Sequence, residues 1–146
     1  MGDSMSEEVQ EVDTMNVDDS ISKGTVLFGL IAESASTNRL FVLVNKMMKT
    51  NTVDGMIIPM NIREDDFYFT LVNMKKSHVN GVYIAKEFQS RAVELLDSKE
   101  EEVEVYNRCD LVIRSGEKLH GFLLEKNNVE SLEELATLVY EKIVKV

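Results

Sequence analysis

The sequence has no tryptophan, one proline, one cysteine and only 2 histidines among its 146 residues. A lone Cys109 cannot close an internal disulfide, and His78, Cys109 and His120 are too scattered for the paired ligand spacing of a zinc site. Metal catalysis is not expected. Cations are also scarce, with 16 Lys and Arg against 26 Asp and Glu, a formal charge of −10. That sign opposes phosphate neutralisation and anionic bilayers, so neither nucleic acid nor membrane is an expected partner. The longest apolar runs are short, as in Val26-Leu27-Phe28-Gly29-Leu30-Ile31-Ala32, well below the ~20 residues that span a bilayer. No leader with a charged start and apolar centre opens the sequence, and together with the single thiol this gives the expectation of a cytoplasmic protein.

What is present reads as an ordinary globular domain. Hydrophobic residues make up 44% and charged residues 29%, and at ~100–200 residues per domain the length suits one domain. Residues 1–23 differ from the rest: seven acids against Lys23 alone give a formal charge of −6, and Val9, Val12, Met15 and Val17 supply little apolar surface. This predicts a disordered acidic tail over 1–23 and a folded domain over 24–146. The tail reads either as a solvated end or as an acidic interaction arm.

From Gly24 onward, short apolar runs alternate with helical spacing. Thr25–Leu30 reads as a buried strand, and the stretch Ser34-Ala35-Ser36-Thr37-Asn38 offers hydroxyls for the N-cap of a helix from about Thr37 to Lys49. Met56–Met60 is a second strand, placed at an edge or strand end by Pro59, which cannot donate to a ladder. Acids at 64–66 favour the next helix start, with Phe67, Leu71, Val72 and Met74 as its apolar face. Gly81–Ala85 is a third strand, followed by a helix through Ala92, Val93, Leu95 and Leu96. Asp97–Glu104 reads as a charged link. Cys109–Arg114 and Lys118–Leu124 flank Ser115-Gly116-Glu117 as a β-hairpin, and Ser131-x-x-Glu134 opens a closing helix. The sum is an α/β fold, a single three-layer domain: a small mostly parallel sheet from three βα units plus a hairpin and a C-terminal helix.

Four motifs in this order resemble the N-terminal substrate-binding domain of shikimate dehydrogenases, over about Thr25 to Glu125. Ile31-Ala32-Glu33-Ser34-Ala35-Ser36-Thr37 resembles I-x-H-S-x-S-P, and Met56–Ile62 resembles the Y-x-P-F-x-V strand. Gly81–Gln89 falls where the family has G-F-N-V-T-x-P-x-K, and Lys118–Glu125 where a strand ends G-x-N-T-D. The resemblance implies a small carboxylate at Ser34 and Ser36 and a site completed by Gln89 and Glu125. It also implies that Gln89 stands at the family's catalytic lysine, so the position has neither charge nor a proton to exchange near neutral pH. Tyr83, Ala85, Leu123 and Leu124 replace polar ligand contacts, and Glu33 replaces a histidine. The family's second asparagine falls near Cys109-Asp110 or near Asn107.

Each of these residues also has a plain reading. Ser36 can cap a helix with Ser34 as a loop residue, His120 is a half-buried strand residue, His78 is solvated, and Cys109 is a buried thiol. Lys86 is expected to point away from the position of the missing lysine. Nothing after Glu125 reads as a G-x-G-x-x-G opening a βαβ unit, so no cofactor, NAD or NADP, is expected on this chain. Two classes of function stand beside each other. One is a non-catalytic interaction or orphan module, associating with itself or with a partner at the cleft face near Tyr83, Phe88, Phe122, Leu123 and Leu124. The other is a module binding a shikimate- or quinate-like carboxylate, or the substrate-binding subunit of a split NADP-dependent dehydrogenase.

Overall fold

The structure is a computed structural model that describes residues 24–126 and 129–146. The expected acidic tail over 1–23 lies outside the described residues. The chain runs β1 (Val26–Ala32), a 3-10 turn (Ala35–Thr37), α1 (Leu40–Thr50), β2 (Gly55–Asn61) and α2 (Phe67–Asn73). It continues as β3 (Gly81–Ile84), α3 (Lys86–Ala92), β4 (Ser98–Lys99), α4 (Glu101–Tyr106), β5 (Leu111–Ser115), β6 (Lys118–Phe122) and α5 (Leu132–Ile143). One six-stranded sheet has the order β2-β1-β3-β5-β6-β4. β1 pairs parallel with β2 and β3, and β6 with β4, while β5 is antiparallel to β3 and β6. The expected parallel core and antiparallel hairpin are both present.

Helices cover both faces because the strands are apolar on both sides, as parallel central strands must be. On one face Phe28, Leu30 and Ile57 pack with Leu40, Val44 and Met48 of α1 and Leu135, Val139 and Ile143 of α5. On the other, Ile31, Val82 and Ile84 meet Phe67 and Leu71 of α2, Phe88 and Ala92 of α3, and Val103 of α4. Phe67 and Phe88 stack with centroids 4.7 Å apart, and the Arg91 guanidinium lies 5.4 Å from the Phe67 ring centre, tying α2 to α3. At Gly81 a Cβ would collide with the Val112 carbonyl oxygen, so β3 and β5 approach as closely as they do only without a side chain there. Gly116 turns the hairpin at φ 61°, in the left-handed region the turn needs.

Three expectations are corrected. The helix over Thr37–Lys49 starts at Leu40, because Asn38 Oδ1 accepts from the Leu40 amide at 2.8 Å, while Ser34 makes no side-chain cap bond to the 3-10 turn. The link over Asp97–Glu104 is structured: β4 adds an edge strand and α4 buries Val103. At the last helix, Ser131 Oγ accepts from the Glu134 amide at 3.1 Å as the capping box requires, but Glu134 reaches back to the Glu130 amide, one residue early.

Among the described residues β2 is an edge strand, a position that suits Pro59. Its residues facing away from β1 are the odd-numbered ones. The Gly55 amide goes to the Val53 carbonyl, and Pro59 has no amide hydrogen to offer. Between them, Asn45 of α1 accepts from the Ile57 amide at 2.9 Å and donates to the Ile57 carbonyl at 2.8 Å. One side-chain amide thus stands in for a missing neighbour strand.

Candidate functional site

In an open α/β sheet, ligands bind outside the carboxyl ends of strands where consecutive connections leave toward opposite faces. Here that point lies between β1 and β3: β1 leads to α1 on one face and β3 to α3 on the other. The loop after β1 and the start of α3 therefore flank a crevice. Ser34 and Ser36 sit exposed on the first side, and Lys86 and Glu87 on the second.

The crevice is bridged from within. The Glu33 amide donates to Glu87 Oε2 at 2.9 Å, so a carboxylate of the chain itself already occupies a donor of this loop. The Ser36 amide donates to Asn61 Oδ1 at 3.1 Å, and the Thr37 and Asn38 amides close back on the carbonyls of Ser34 and Ala35. Neither serine lines the neighbouring polar hollow of about 410 Å³, whose walls are Glu33, Ile62, Arg63, Glu64 and Asp65.

Gln89 and Glu125 are brought together by a residue the sequence reading passed over. Gln89 is fully buried on α3, donates through Nε2 to the Ile84 carbonyl at 2.9 Å, and accepts from Arg108 Nη1 at 3.0 Å. Arg108 Nη2 also reaches the Glu125 carbonyl at 3.4 Å. Asp110 completes the cluster. It is fully buried, and its two carboxylate oxygens accept from the amides of Leu124 and Glu125 at 2.8 and 2.9 Å.

The electrostatics follow from that burial. Asp110 is pushed up to about 6 by desolvation, against the pull of the two amides it accepts from. Desolvation, helped by the Asp110 and Glu125 charges, pushes the Tyr83 phenol well above its usual range. Cys109, beside Asp110 and equally buried, is pushed up to about 12 by desolvation, which leaves the thiol protonated and unreactive. Tyr83, Phe88 and Leu123 are buried, Tyr83 on one face of the sheet and Phe88 and Leu123 on the other, while the half-buried Phe122 and Leu124 line a hollow beside Leu138 and Lys142.

Of the two positions open for the second asparagine, Asp110 lies in the cluster, whereas Asn107 ends α4 in a left-handed turn at φ 53°. The signal for Asp110 was an acid opening an otherwise apolar strand run; for Arg108 it was a lone cation beside that acid. His78 is exposed. His120 is half-buried and joins Ser98 and Glu100 through contacts of 2.6 Å each. Ser98 and His120 are register partners between β4 and β6, so this chain of three ties a two-residue edge strand to the sheet. Among the described residues, no three His, Cys, Asp or Glu side chains gather as metal ligands, and no helix is long and apolar enough to cross a membrane.

Comparison with solved structures gives the same architecture. Shikimate dehydrogenase from Aquifex aeolicus matches 70% of this chain with a TM-score of 0.65 at 19% identity. Shikimate 5-dehydrogenase from Listeria monocytogenes, solved in complex with shikimate and NAD, matches 70% at 0.65 and 16% identity. The ligand-free 5-ketofructose reductase of Gluconobacter sp. strain CHM43 matches 69% at 0.64 and 15%. No protein-family model matches the sequence, and no curated protein does. The chain spans only 36–38% of the length of those three proteins. At these identities the likeness is one of fold, and that fold serves differently named enzymes.

Proposed function

We propose that this chain is a non-catalytic domain of the shikimate dehydrogenase substrate-binding type, in effect a pseudoenzyme, which works in the cytoplasm by associating with protein rather than by turning over a polyhydroxy acid. The observation that carries this is Gln89. The side chain at the position of the missing lysine is fully buried, and both ends of its amide are spent on Ile84 and Arg108. A glutamine so held has no charge for a developing alkoxide and no proton to relay. Tyr83 and Leu123 fill space where hydroxyl contacts would be needed, and Glu87 takes up a loop amide with a carboxylate of the chain.

Each unmatched substrate hydroxyl costs ~1–3 kcal/mol of desolvation, so losing two or three moves a micromolar ligand past millimolar. The purified chain is expected to reduce no NADP with shikimate. In a titration followed by backbone amide NMR, shikimate should bind no tighter than about a millimolar. Saturating shifts at Ser34 to Asn38 and Glu125 with micromolar shikimate would overturn the reading. They would favour the second one, a small-carboxylate module or the substrate-binding subunit of a split dehydrogenase. What speaks for that second reading is the exposure of Ser34 and Ser36 at the mouth of the crevice.

A further inference from the structure

We propose that α2 and the groove beside it form the interface of a two-fold homodimer, with the two α2 helices lying antiparallel. This rests on the reading of the chain as an association module and names its partner: a second copy of itself.

The most exposed large apolar side chain among the described residues is on α2. Phe69 is 70% exposed and Tyr68 59%, next to each other on a helix whose opposite side buries Phe67 and Leu71. Aromatic rings of this size, left in water side by side, mark a contact surface rather than a solvated face. Phe69 stands at the rim of a groove of about 250 Å³ and forms part of its wall, the rest including Ile31, Met60, Met74, Val79 and Val82. A cavity of ~150 Å³ admits benzene, so the groove has room for one phenyl ring. It is smaller than the ~300–1,000 Å³ usual for small-molecule sites, and its lining is nearly all apolar, which suits a side chain better than a metabolite. A knob and a hole on one surface are what an isologous contact requires: each copy's Phe69 enters the other's groove.

Charge selects the occupant and the orientation. A chain of formal charge −10 repels its own copy over most of its surface, but Phe67 to Met74 holds no charged residue. Acids stand at one end of this stretch and lysines at the other. At the first end, Arg91 sits near Glu64 at 4.0 Å, and Arg63 adds a second cation, while Asp65 and Asp66 remain exposed. At the second, Lys75 is paired with Asp97 at 3.1 Å, and Lys76 is exposed. A two-fold axis across α2 sets Asp65 and Asp66 of each copy against Lys76 of the other, twice over, and opposes the two helix dipoles. A parallel arrangement would set acid against acid.

The test is sedimentation equilibrium of the full chain at low salt. A dimer with Kd in the range of about 1–100 μM is expected. Phe69→Glu should raise Kd at least about tenfold, and Tyr68→Lys should act in the same direction, with the far-UV spectrum of both unchanged because both side chains are exposed. Asp66→Lys should weaken the dimer about threefold to tenfold, and adding Lys76→Glu to it should restore it to within about twofold. A monomer at all concentrations overturns the proposal. So does a dimer indifferent to Phe69→Glu, or one that the double charge reversal fails to restore. A monomer in which Phe69→Glu moves the amide resonances of residues 9–21 assigns the groove to the chain's own N-terminal segment instead, and likewise overturns it. Shikimate titration of the Phe69→Glu variant keeps the two readings apart: micromolar binding there refutes the non-catalytic reading whatever the oligomeric state.

Discussion

At the crevice between β1 and β3, Gln89, Arg108, Asp110 and Glu87 all find hydrogen-bond partners inside the chain, whereas along α2 Tyr68 and Phe69 stand mostly in water. Both regions sit on the same sheet and both would ordinarily be read as places to bind something. The first is polar and closed; the second is apolar and open. Closure at the crevice is costly to undo where it is deepest, because Gln89 and Asp110 are fully buried and leaving either unpaired loses a full interaction. The open flank costs little to change, because its side chains make their contacts only when another surface arrives. Fold likeness alone would have drawn attention to the crevice. The distribution of satisfied and unsatisfied surface draws it to the flank.

The largest effect expected is at the crevice. Gln89→Lys, which installs the residue type of the dehydrogenase motif that the sequence resembles, places a second cation against Arg108 in a fully buried position and removes the amide oxygen to which Arg108 Nη1 donates. A loss of about 3–5 kcal/mol is expected, read as a lowered midpoint in urea denaturation. An unchanged midpoint would mean the crevice is looser than its hydrogen bonds indicate, and the comparison between closed and open regions would fail.

Next is pH. Asp110 is raised in the folded chain from an ordinary value of 3.8 to about 6. A carboxyl raised on folding stabilises the fold below its unfolded pKa, and that contribution is lost as pH rises through the folded value. Lowering pH from about 7 to about 5 should therefore raise stability, toward a full contribution of about 3 kcal/mol near pH 4. Asp97 and Glu102 oppose this in more acid solution. The Leu119 amide bond, then Lys75, holds Asp97 below the usual range, and Lys126 does the same for Glu102. Asp110→Asn should remove the rise between about pH 7 and pH 5 and cost about 1–3 kcal/mol below pH 5, since an amide cannot accept from both Leu124 and Glu125. A pH profile that survives Asp110→Asn would place the titration elsewhere.

The smallest effects belong to the flank. Phe69→Glu and Tyr68→Lys should each change the stability of the dilute monomer by no more than about 0.5 kcal/mol in thermal denaturation. A larger loss would show that these rings already pack within one chain.

The alternation of strand and helix was legible because apolar residues on both sides of β1 and β3 leave no other arrangement, and Pro59 and Gly116 marked an edge and a turn by backbone chemistry alone. β4 and α4 were not, since a two-residue strand has no period and α4 turns a single buried side chain, Val103, toward the core. Of the candidate site, Ser34, Ser36, Gln89 and Glu125 could be pointed to by motif order. Arg108, which joins two of them, and Asp110, which holds the turn carrying the last, could not be ranked. A charged residue at a strand start reads as surface unless the partners that satisfy it, here amides fourteen and fifteen residues away, are known. Glu87 was hidden for the same reason, its partner being the Glu33 amide across the crevice. The hydroxyls misled as caps because Asn38, two residues before the first helical amide, competes for it better.

Asn45 blocks one route by which copies of this protein could add to one another. A sheet with an open edge is a template that adds strands without end, and each added copy presents the same edge again. Here the Ile57 amide and carbonyl are already occupied, Pro59 offers no donor, and the far edge is two residues long and pinned by Ser98 and His120. Among the described residues, growth by strand addition is blocked at both ends of the sheet, so the proposed association through a helix flank would close on itself at two copies. Asn45→Ala would reopen one end, and the population to watch for is the fibre, not the unfolded chain.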